Sequence, residues 1–433
     1  MFLLSVFLLS LSTTSTTAMV FPRACVPQAH YPGTCCPSYM GSPCGSALNR
    51  GSCVPSKSSR AEPPPDITMD DRIPGFYFNV SCTCRGNFAG PDCGECKPGL
   101  EGDNCDRRSN HTRREVRRMN ETERTLFLVQ LQFCKELIDP NYVILRSGNR
   151  FRTGSLEFID ASYYDVWIFA MYYMSKPFVN NTRETNAVTF GAGGTGFLST
   201  IRASVMHFER QMRRCLKDPS FTMYFYDWRD DNDCAMCRND FFGASNDEGF
   251  LTSGCVFSTW RMCCADFDFD ETYCLMSDCI CERPLINRKA GEDPSIDKPY
   301  RADVDYCLSL RTIDAPPYNT LSTNCFRNCL EGNIGRTGTD GIYLNLLWHQ
   351  YCGGTMSIPS IAPNDPLFIL QATFLDRIFQ AYIERWGITP ASYPPTTMYG
   401  HRAYDCITPY YECWLNRDMF TSSINLGYGY DNF

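Results

Sequence analysis

The sequence predicts a mainly α-helical domain whose helices are joined by long, disulfide-pinned loops, preceded by a small cysteine-rich module. Three observations predict this class. After residue 120, apolar residues recur at three- and four-residue spacing in several segments. Before residue 110, ten of the 26 cysteines are set among closely spaced glycines. Both regions hold an even number of cysteines, as expected if each region closes its own bridges.

The first segment has the pattern of a secretion signal. An apolar run from Phe2 to Leu11 is followed by small residues ending at Ala18, although no Lys or Arg precedes the run. We therefore expect a signal peptide over residues 1–18; the alternative is a buried apolar strand. No later segment reaches the ~20 apolar residues of a membrane helix, so we expect no membrane span. The predicted location is the secretory pathway, with release outside the cell or into an organelle lumen.

The next segment, residues 19–108, is the cysteine-rich module. Its cysteines from 82 to 105 follow the spacing C-x-C-x8-C-x2-C-x8-C, which resembles an EGF-like repeat. In such a module, short cross-linked loops replace a core that is too small to hold alone. The alternative is zinc held by Cys93 and Cys96, which an exported, oxidised chain disfavours. The predicted disulfide cysteines are Cys25, Cys35, Cys36, Cys44, Cys53, Cys82, Cys84, Cys93, Cys96, Cys105, Cys234 and Cys237.

The net charge and the glycosylation sequons predict which partners and modifications the protein surface carries. The formal net charge of -8 argues against nucleic acid as a partner. Residues 109–119 form a basic linker, which we expect to be solvated; docking of an anionic partner is the alternative. Two predicted glycosylation sites fall in or beside this linker, and their glycans would shield it. The four predicted sites are Asn79, Asn110, Asn120 and Asn180.

The remaining residues, 120–433, form the main, helical domain. Asn120 and Glu123 have the spacing of a capping box that opens a helix running to residue 138. The helix predicted at residues 198–212 has an apolar stripe. Its polar residues face away from that stripe; they are Arg202, Glu209, Arg210 and Arg213. Asp365-Pro366 and Gly387 are start and stop signals for the last helix. These further helices are predicted at residues 161–175, 198–212, 342–350 and 365–386.

Several segments carry a family resemblance. The stretches Phe221–Asp230 (FTMYFYDWRD), Phe21–Cys25 and Asn364–Leu370 resemble those of animal tyrosinases and tyrosinase-related proteins, in the same order along the chain. The resemblance implies a type-3 copper fold, in which a four-helix core carries six histidines, three for each of two copper ions. It also implies oxidation of phenols and catechols toward melanin, with the melanosome as the organelle lumen.

The histidines depart from this family pattern. The positions equivalent to the copper ligands hold Met171, Ala192 and Ile201 in the first site, and Asn345, His349 and Ala372 in the second. The whole chain has five histidines, fewer than the six that the family uses. Ala and Ile offer no donor atom, and Met, Asn and Gln replace imidazole poorly on cupric copper. We therefore expect no catalytic residue, no bound metal and no cofactor.

Smaller motifs leave alternatives open. We expect His349 to be an ordinary buried histidine rather than a relic ligand. A cuprous site with Met171 and Cys352 is disfavoured because we expect Cys352 to be disulfide-bonded. The run Gly191–Gly196 is expected to be a flexible turn. We expect solvated loops rather than calcium sites, since EF-hand spacing is missing, at residues 227–233 and at Asp266, Asp268 and Asp270.

These observations lead to one functional hypothesis and two alternatives. The hypothesis is a catalytically inactive family member that binds or assembles with a protein partner, an active relative among the candidates. The first alternative is a copper-dependent oxidoreductase of phenols or catechols that uses an atypical metal site. The second is an extracellular adhesion or signalling protein that acts through the EGF-like module.

Overall fold

The structure is a computed structural model, and it describes most of the chain. The predicted signal peptide, His30, Asn79 and the acidic residues from 266 to 270 lie outside the described residues. The described ranges are 20–26, 34–55, 80–149, 152–175, 177–180, 183–189, 191–263, 284–335, 341–398, 400–407 and 414–431.

Helices dominate the larger part of the molecule, which confirms the predicted mainly helical class. Two of them, at residues 301–309 and 326–331, were not predicted from the sequence. Among the described helices, none combines the length and the apolar character that a membrane crossing needs. The helices are α1 (Glu121–Glu136), α2 (Tyr163–Met174), α3 (Gly196–Leu216), α4 (Arg301–Ser309), α5 (Phe326–Glu331), α6 (Leu344–Cys352) and α7 (Leu367–Trp386).

The described strands are short, except for one long antiparallel hairpin formed by residues 138–149 and 152–162. The sequence analysis did not predict this hairpin. The N-terminal strand β1 extends this hairpin, with Val20 opposite Ile144. The strands are β1 (Val20–Pro22), β2 (Thr34–Cys35), β3 (Ser38–Tyr39), β4 (Ser42–Pro43), β5 (Gly51–Pro55), β6 (Val80–Cys84), β7 (Phe88–Ala89), β8 (Glu95–Cys96), β9 (Leu100–Glu101), β10 (Arg107–Arg108), β11 (His111–Glu115), β12 (Ile138–Asn149), β13 (Arg152–Ser162), β14 (Pro177–Asn180), β15 (Arg183–Thr189), β16 (Tyr224–Phe225) and β17 (Tyr428–Tyr430).

The cysteine-rich module is held by disulfides and one buried cation. Strand β6 lies between β2 and β5 in its largest sheet. The Arg50 side chain is buried, and its guanidinium lies 4.3 Å from the Tyr39 ring centroid and 4.4 Å from that of Phe88. Cation–π contacts of this kind take the place of an apolar core. The described module disulfides are Cys25–Cys35, Cys36–Cys53, Cys44–Cys82, Cys84–Cys93 and Cys96–Cys105.

The basic segment after the module is part of the domain rather than a solvated linker. Strand β11 runs parallel to both β16 and β17, between them. Alternate residues of a strand face opposite sides, so Arg113 points inward and is fully buried. Its guanidinium donates to both carboxylate oxygens of Glu209 at 2.9 Å and to Asp376 Oδ2 at 2.8 Å. The expectation of a solvated linker is therefore wrong for Arg113, because two buried carboxylates compensate its charge.

Two of the polar residues of α3, Arg202 and Glu209, are also buried, although they face away from its apolar stripe, whereas Arg210 and Arg213 are half-buried. Arg202 is fully buried and donates from Nε to Asp376 Oδ1 at 2.6 Å. Asp376 additionally accepts hydrogen bonds from the Tyr428 and Tyr430 hydroxyls, each at 2.6 Å. This buried network joins α3, α7 and the C-terminal strand to β11.

Further cross-links hold the helices together. The Trp167 indole of α2 donates to the Ser204 carbonyl of α3 at 3.1 Å, and Cys134–Cys215 links α1 to α3. Outside the module, Cys234 pairs with Cys237. Cys352 differs from expectation, because it is a free, buried thiol at the end of α6. Burial raises the pKa of Cys352, so it is a protonated, unreactive core residue.

The N-terminus of α1 allows a clean test of capping against glycosylation. Asn120 Oδ1 accepts from the Glu123 amide at 2.9 Å, and Glu123 Oε2 accepts from the Asn120 amide at 3.0 Å. We expect Asn120→Ala to lower the free energy of unfolding by about 1 kcal/mol. Thr122→Ala removes the same sequon and keeps the cap, so it serves as the matched control. Chemical denaturation of both variants should separate the effects; equal losses would show that the glycan, not the cap, stabilises this helix.

Candidate functional site

The positions equivalent to the copper ligands lie on four elements of the helical core. Met171 is half-buried on α2, and Ile201 is buried on α3. Asn345 and His349 are buried one turn apart on α6, and Ala372 is buried on α7. Ala192 differs from the rest because it lies in an exposed turn before α3. Five of the six predicted ligand positions therefore lie on helices of the core, but few of them carry a donor atom.

His349 is the one imidazole among these positions. Its Nδ1 lies 2.7 Å from the Met356 carbonyl oxygen, so Nδ1 carries the proton and donates it, and Nε2 is left as the acceptor. Burial lowers the pKa of His349, and the Met356 carbonyl offsets only part of this. The ring is therefore neutral. A fixed, neutral imidazole of this kind suits a metal ligand and a packed core residue equally.

A hydrogen-bonded chain of side chains occupies the second set of positions. The Trp228 indole donates to Gln371 Oε1 at 2.6 Å, and Gln371 Nε2 donates to Asn345 Oδ1 at 3.3 Å. Trp228 also stacks on Trp348 with ring centroids 5.6 Å apart. Asn345 is thus committed to a neighbour in the core. This arrangement satisfies buried polar groups without any metal ion.

The other described histidines lie outside this group. His401 is fully buried, accepts from the Gly196 amide at Nδ1 (2.9 Å) and donates from Nε2 to the Thr189 carbonyl (2.6 Å). His207 is half-buried on α3, and desolvation of its ring lowers its pKa to about 3. His111 lies at the module, 3.8 Å from Glu101. Among the described residues, only His349 supplies imidazole at a ligand-equivalent position, so the residues present do not fit a pair of coppers each held by three histidines.

The glycine-rich run is anchored rather than flexible. His401 Nδ1 would lie 2.9 Å from a Cβ at Gly194 and 2.7 Å from one at Gly196, so neither position has room for a side chain. The Gly193 amide donates to Glu331 Oε1 at 2.5 Å. The turn therefore has two buried partners from distant parts of the chain, which is why the local sequence did not predict its rigidity.

Three carboxylates of the acidic stretch at residues 227–233 form ion pairs with arginines. Asp227 pairs with Arg229 at 2.7 Å, and Asp230 accepts from Arg301 at 2.8 Å. Asp231 forms an ion pair with Arg117 and accepts from the Tyr226 hydroxyl at 2.5 Å. Asp227 and Asp231 are half-buried ion-pair residues rather than freely solvated ones, whereas Asp230 and Asp233 are exposed, as expected of a solvated loop.

The buried His401 predicts a pH dependence of stability. Burial lowers the pKa of His401 to about 4, whereas an unfolded histidine titrates near 6.5. Its contribution is complete above pH 6.5 and is lost as pH falls from 6.5 toward 4, because only the unfolded chain takes up the proton. We expect His401→Gln to remove about 2–3 kcal/mol of the stability difference between pH 7 and pH 4.5. Denaturant titrations at both pH values measure this, and an unchanged difference would contradict it.

Comparison with known proteins gives this arrangement a context. Residues 162–385 match the family model described as the common central domain of tyrosinase. The chain is 30% identical to a tyrosinase of Gallus gallus over 100% of this chain and 85% of that protein. It is 32% identical to a 5,6-dihydroxyindole-2-carboxylic acid oxidase of Ambystoma mexicanum, over 95% of this chain and 83% of that protein. A solved mutant polyphenol oxidase from Thermothelomyces thermophila is 14% identical, over 72% of this chain and 77% of that chain, with a TM-score of 0.47.

These matches correct one expectation. The sequence led us to expect no cofactor, and that expectation is wrong at the level of the family, because the matched family is one of dicopper proteins. Copper is therefore the cofactor that the likeness implies. The predicted donor set of this chain disagrees with it, since Met171, Ile201 and Ala372 stand at positions that the sequence resemblance assigns to imidazoles.

Proposed function

Because the chain belongs to the tyrosinase family, we propose that it is a secretory-pathway member that does not oxidise phenols and acts by binding a protein partner. The partner we infer is an active relative in the pigment (melanin) pathway. One observation carries the first half of this proposal: five of the six ligand-equivalent positions lack imidazole, and one of them, Asn345, is hydrogen-bonded through Gln371 to Trp228. Without those nitrogens, a copper pair has no fixed donors with which to activate dioxygen.

The second half of the proposal, binding to a protein partner, rests on the buried network around Asp376 and on exposed apolar residues of α1. The buried network around Asp376 holds the scaffold rigid, although the positions that it supports no longer carry ligands. On the outer face of α1, apolar side chains at three- and four-residue spacing are exposed, and we name this set the apolar row. Contiguous exposed apolar residues mark contacts with other proteins. The apolar row consists of Leu126, Val129 and Phe133 on α1 and of Leu137, the C-cap residue that follows it.

Co-expression tests the binding proposal. We expect the chain to co-elute with a co-secreted tyrosinase of the family during size-exclusion chromatography. The variant Val129→Lys/Phe133→Lys should elute apart from that tyrosinase, because two charges in the apolar row would have to be desolvated in the contact. Leu321→Lys, at another exposed apolar residue, is the control and should still co-elute. Separate elution of the wild-type chain from the tyrosinase would contradict the proposal.

A second candidate function follows from the comparisons. The relatives are oxidoreductases of a dicopper family, which favours oxidation of phenols or catechols by copper held in another donor set. The two candidates differ in turnover, and a catechol oxidation assay separates them.

A further inference from the structure

A cavity of about 370 Å³ lies where the cysteine-rich module meets the helical domain. The module contributes residues 94–101, the end of α3 forms the opposite wall, and residues 426–428 close one side. The chain segments approach closely here: a Cβ at Gly99, whose φ is +85°, would lie 2.3 Å from the Asn425 carbonyl oxygen. None of the six ligand-equivalent positions lines this cavity, so it is a separate site.

The lining carries an excess of positive charge. Its three carboxylates already have cationic partners: Glu209 binds Arg113 at 2.9 Å, Glu95 pairs with Arg210 at 3.1 Å, and Glu101 lies 3.7 Å from Arg107. Arg113 and Arg107 lie outside the lining and neutralise Glu209 and Glu101. In the opposite sense, Arg214 of the lining pairs with Asp139, outside the lining, at 3.2 Å, so among the described residues the uncompensated cations of the lining are Lys97, Arg213 and Lys217. The five lysines and arginines of the lining are Lys97, Arg210, Arg213, Arg214 and Lys217.

Arg213 is the least compensated of the three arginines in the lining. Its Nε donates to the Phe221 carbonyl at 2.8 Å, but its nearest carboxylate oxygen, on Glu209, is 3.9 Å away and is already bound by Arg113. Burial lowers the pKa of Arg213; Glu209 opposes this, and Arg113 and Arg210 lower it further by repulsion. A bound anion would relieve this repulsion.

Two lysines extend the positive charge to the mouth of the cavity. Lys97 and Lys217 are exposed, and within the described part of the chain neither side chain forms an ion pair. Between the cations lie apolar side chains, Leu100, Met206 and Leu426. The surface therefore combines guanidinium and ammonium groups with an apolar floor.

We propose that this cavity binds a small organic anion, with a carboxylate or phosphate held by Arg213 and Lys217 and an apolar body packed on Met206 and Leu426. Guanidinium groups bind planar and tetrahedral oxyanions through paired N–H donors, which fits Arg213. A volume of about 370 Å³ is in the range of small-molecule sites. This site does not depend on the proposed function, because both its walls and its charges are independent of the copper positions.

Calorimetric titration of the full chain tests the proposal, with benzoate and phenyl phosphate as probes and benzyl alcohol as the neutral control. We expect saturable 1:1 binding of at least one anion, and the stronger probe identifies carboxylate or phosphate as the preferred group. Arg213→Gln should weaken binding about tenfold or more, because a charge-assisted hydrogen bond is lost. Lys97→Met/Lys217→Met should weaken binding severalfold, and Lys289→Met, an exposed lysine outside the lining, should leave it unchanged.

If Arg213→Gln folds poorly, the variant Lys97→Met/Lys217→Met still tests the site, because both lysines are exposed. The site assignment is overturned if neither anion binds at concentrations up to about 5 mM. It is equally overturned if benzyl alcohol binds as tightly as the anions, or if the double-lysine variant binds the anions like the wild type.

Discussion

Asp376→Asn is expected to lower the free energy of unfolding by about 3–5 kcal/mol, because it leaves two buried guanidiniums without their shared carboxylate. Asp376 accepts from Arg113 at 2.8 Å and from Arg202 at 2.6 Å, and all three side chains are fully buried. Asparagine has nearly the same shape, so the loss would report the charge rather than a cavity. Asp240→Asn is the matched control, since Asp240 also pairs with two arginines but is exposed, and its loss should be about 0–1 kcal/mol.

The same network predicts how this loss varies with pH. Burial alone would raise the pKa of Asp376, but Arg202 and Arg113 outweigh burial and hold that pKa below the ordinary value of 3.8. The carboxylate's contribution is therefore complete above about pH 4 and is lost as pH falls through the folded-state pKa. The gap between wild type and Asp376→Asn should narrow at pH 3 relative to pH 7. Equal stability of both proteins at pH 7 would show that the network is dispensable.

Ala372→His is expected to destabilise the chain by about 2–4 kcal/mol when copper is not supplied, because it forces an imidazole into filled core. Ala372 is only 4% exposed on α7 and belongs to the main apolar cluster. The added ring must displace neighbours in this cluster and bury two ring nitrogens that alanine lacks. The measurement is chemical denaturation of the wild type and the variant under the same conditions.

The control for this change is the same substitution on an exposed helical alanine. Ala302 is exposed on α4, so Ala302→His should change stability by no more than about 0.7 kcal/mol, the difference in helix propensity. If Ala372→His cost no more than Ala302→His, space for a ligand would remain between the helices. The interpretation of this region as ordinary core would then fail.

Local signals allowed parts of the fold to be predicted. The capping box at Asn120 and the helix stop at Gly387, which has the left-handed φ of 63°, each involve only residues close to one helix end. The helix bounds near them were therefore predictable. The ligand-equivalent positions are likewise a prediction from sequence, which rests on the neighbouring motif residues that mark their place along the chain.

Long-range pairing accounts for what the sequence did not reveal. Arg113 is buried because Glu209 and Asp376, 96 and 263 residues away, surround it. The Gly196 amide depends on His401, 205 residues away. The proposed anion cavity likewise combines four separate chain segments. In each case the local pattern shows a basic or glycine-rich stretch, and only the fold supplies the partner that determines its role.

Catechol oxidation by the secreted chain, supplied with copper and assayed beside an active tyrosinase of the family, tests the central claim most directly. With one imidazole left at the six ligand-equivalent positions, we predict a rate no higher than that of a blank containing copper alone. A rate above the blank that rises in proportion to the concentration of the chain would contradict the claim.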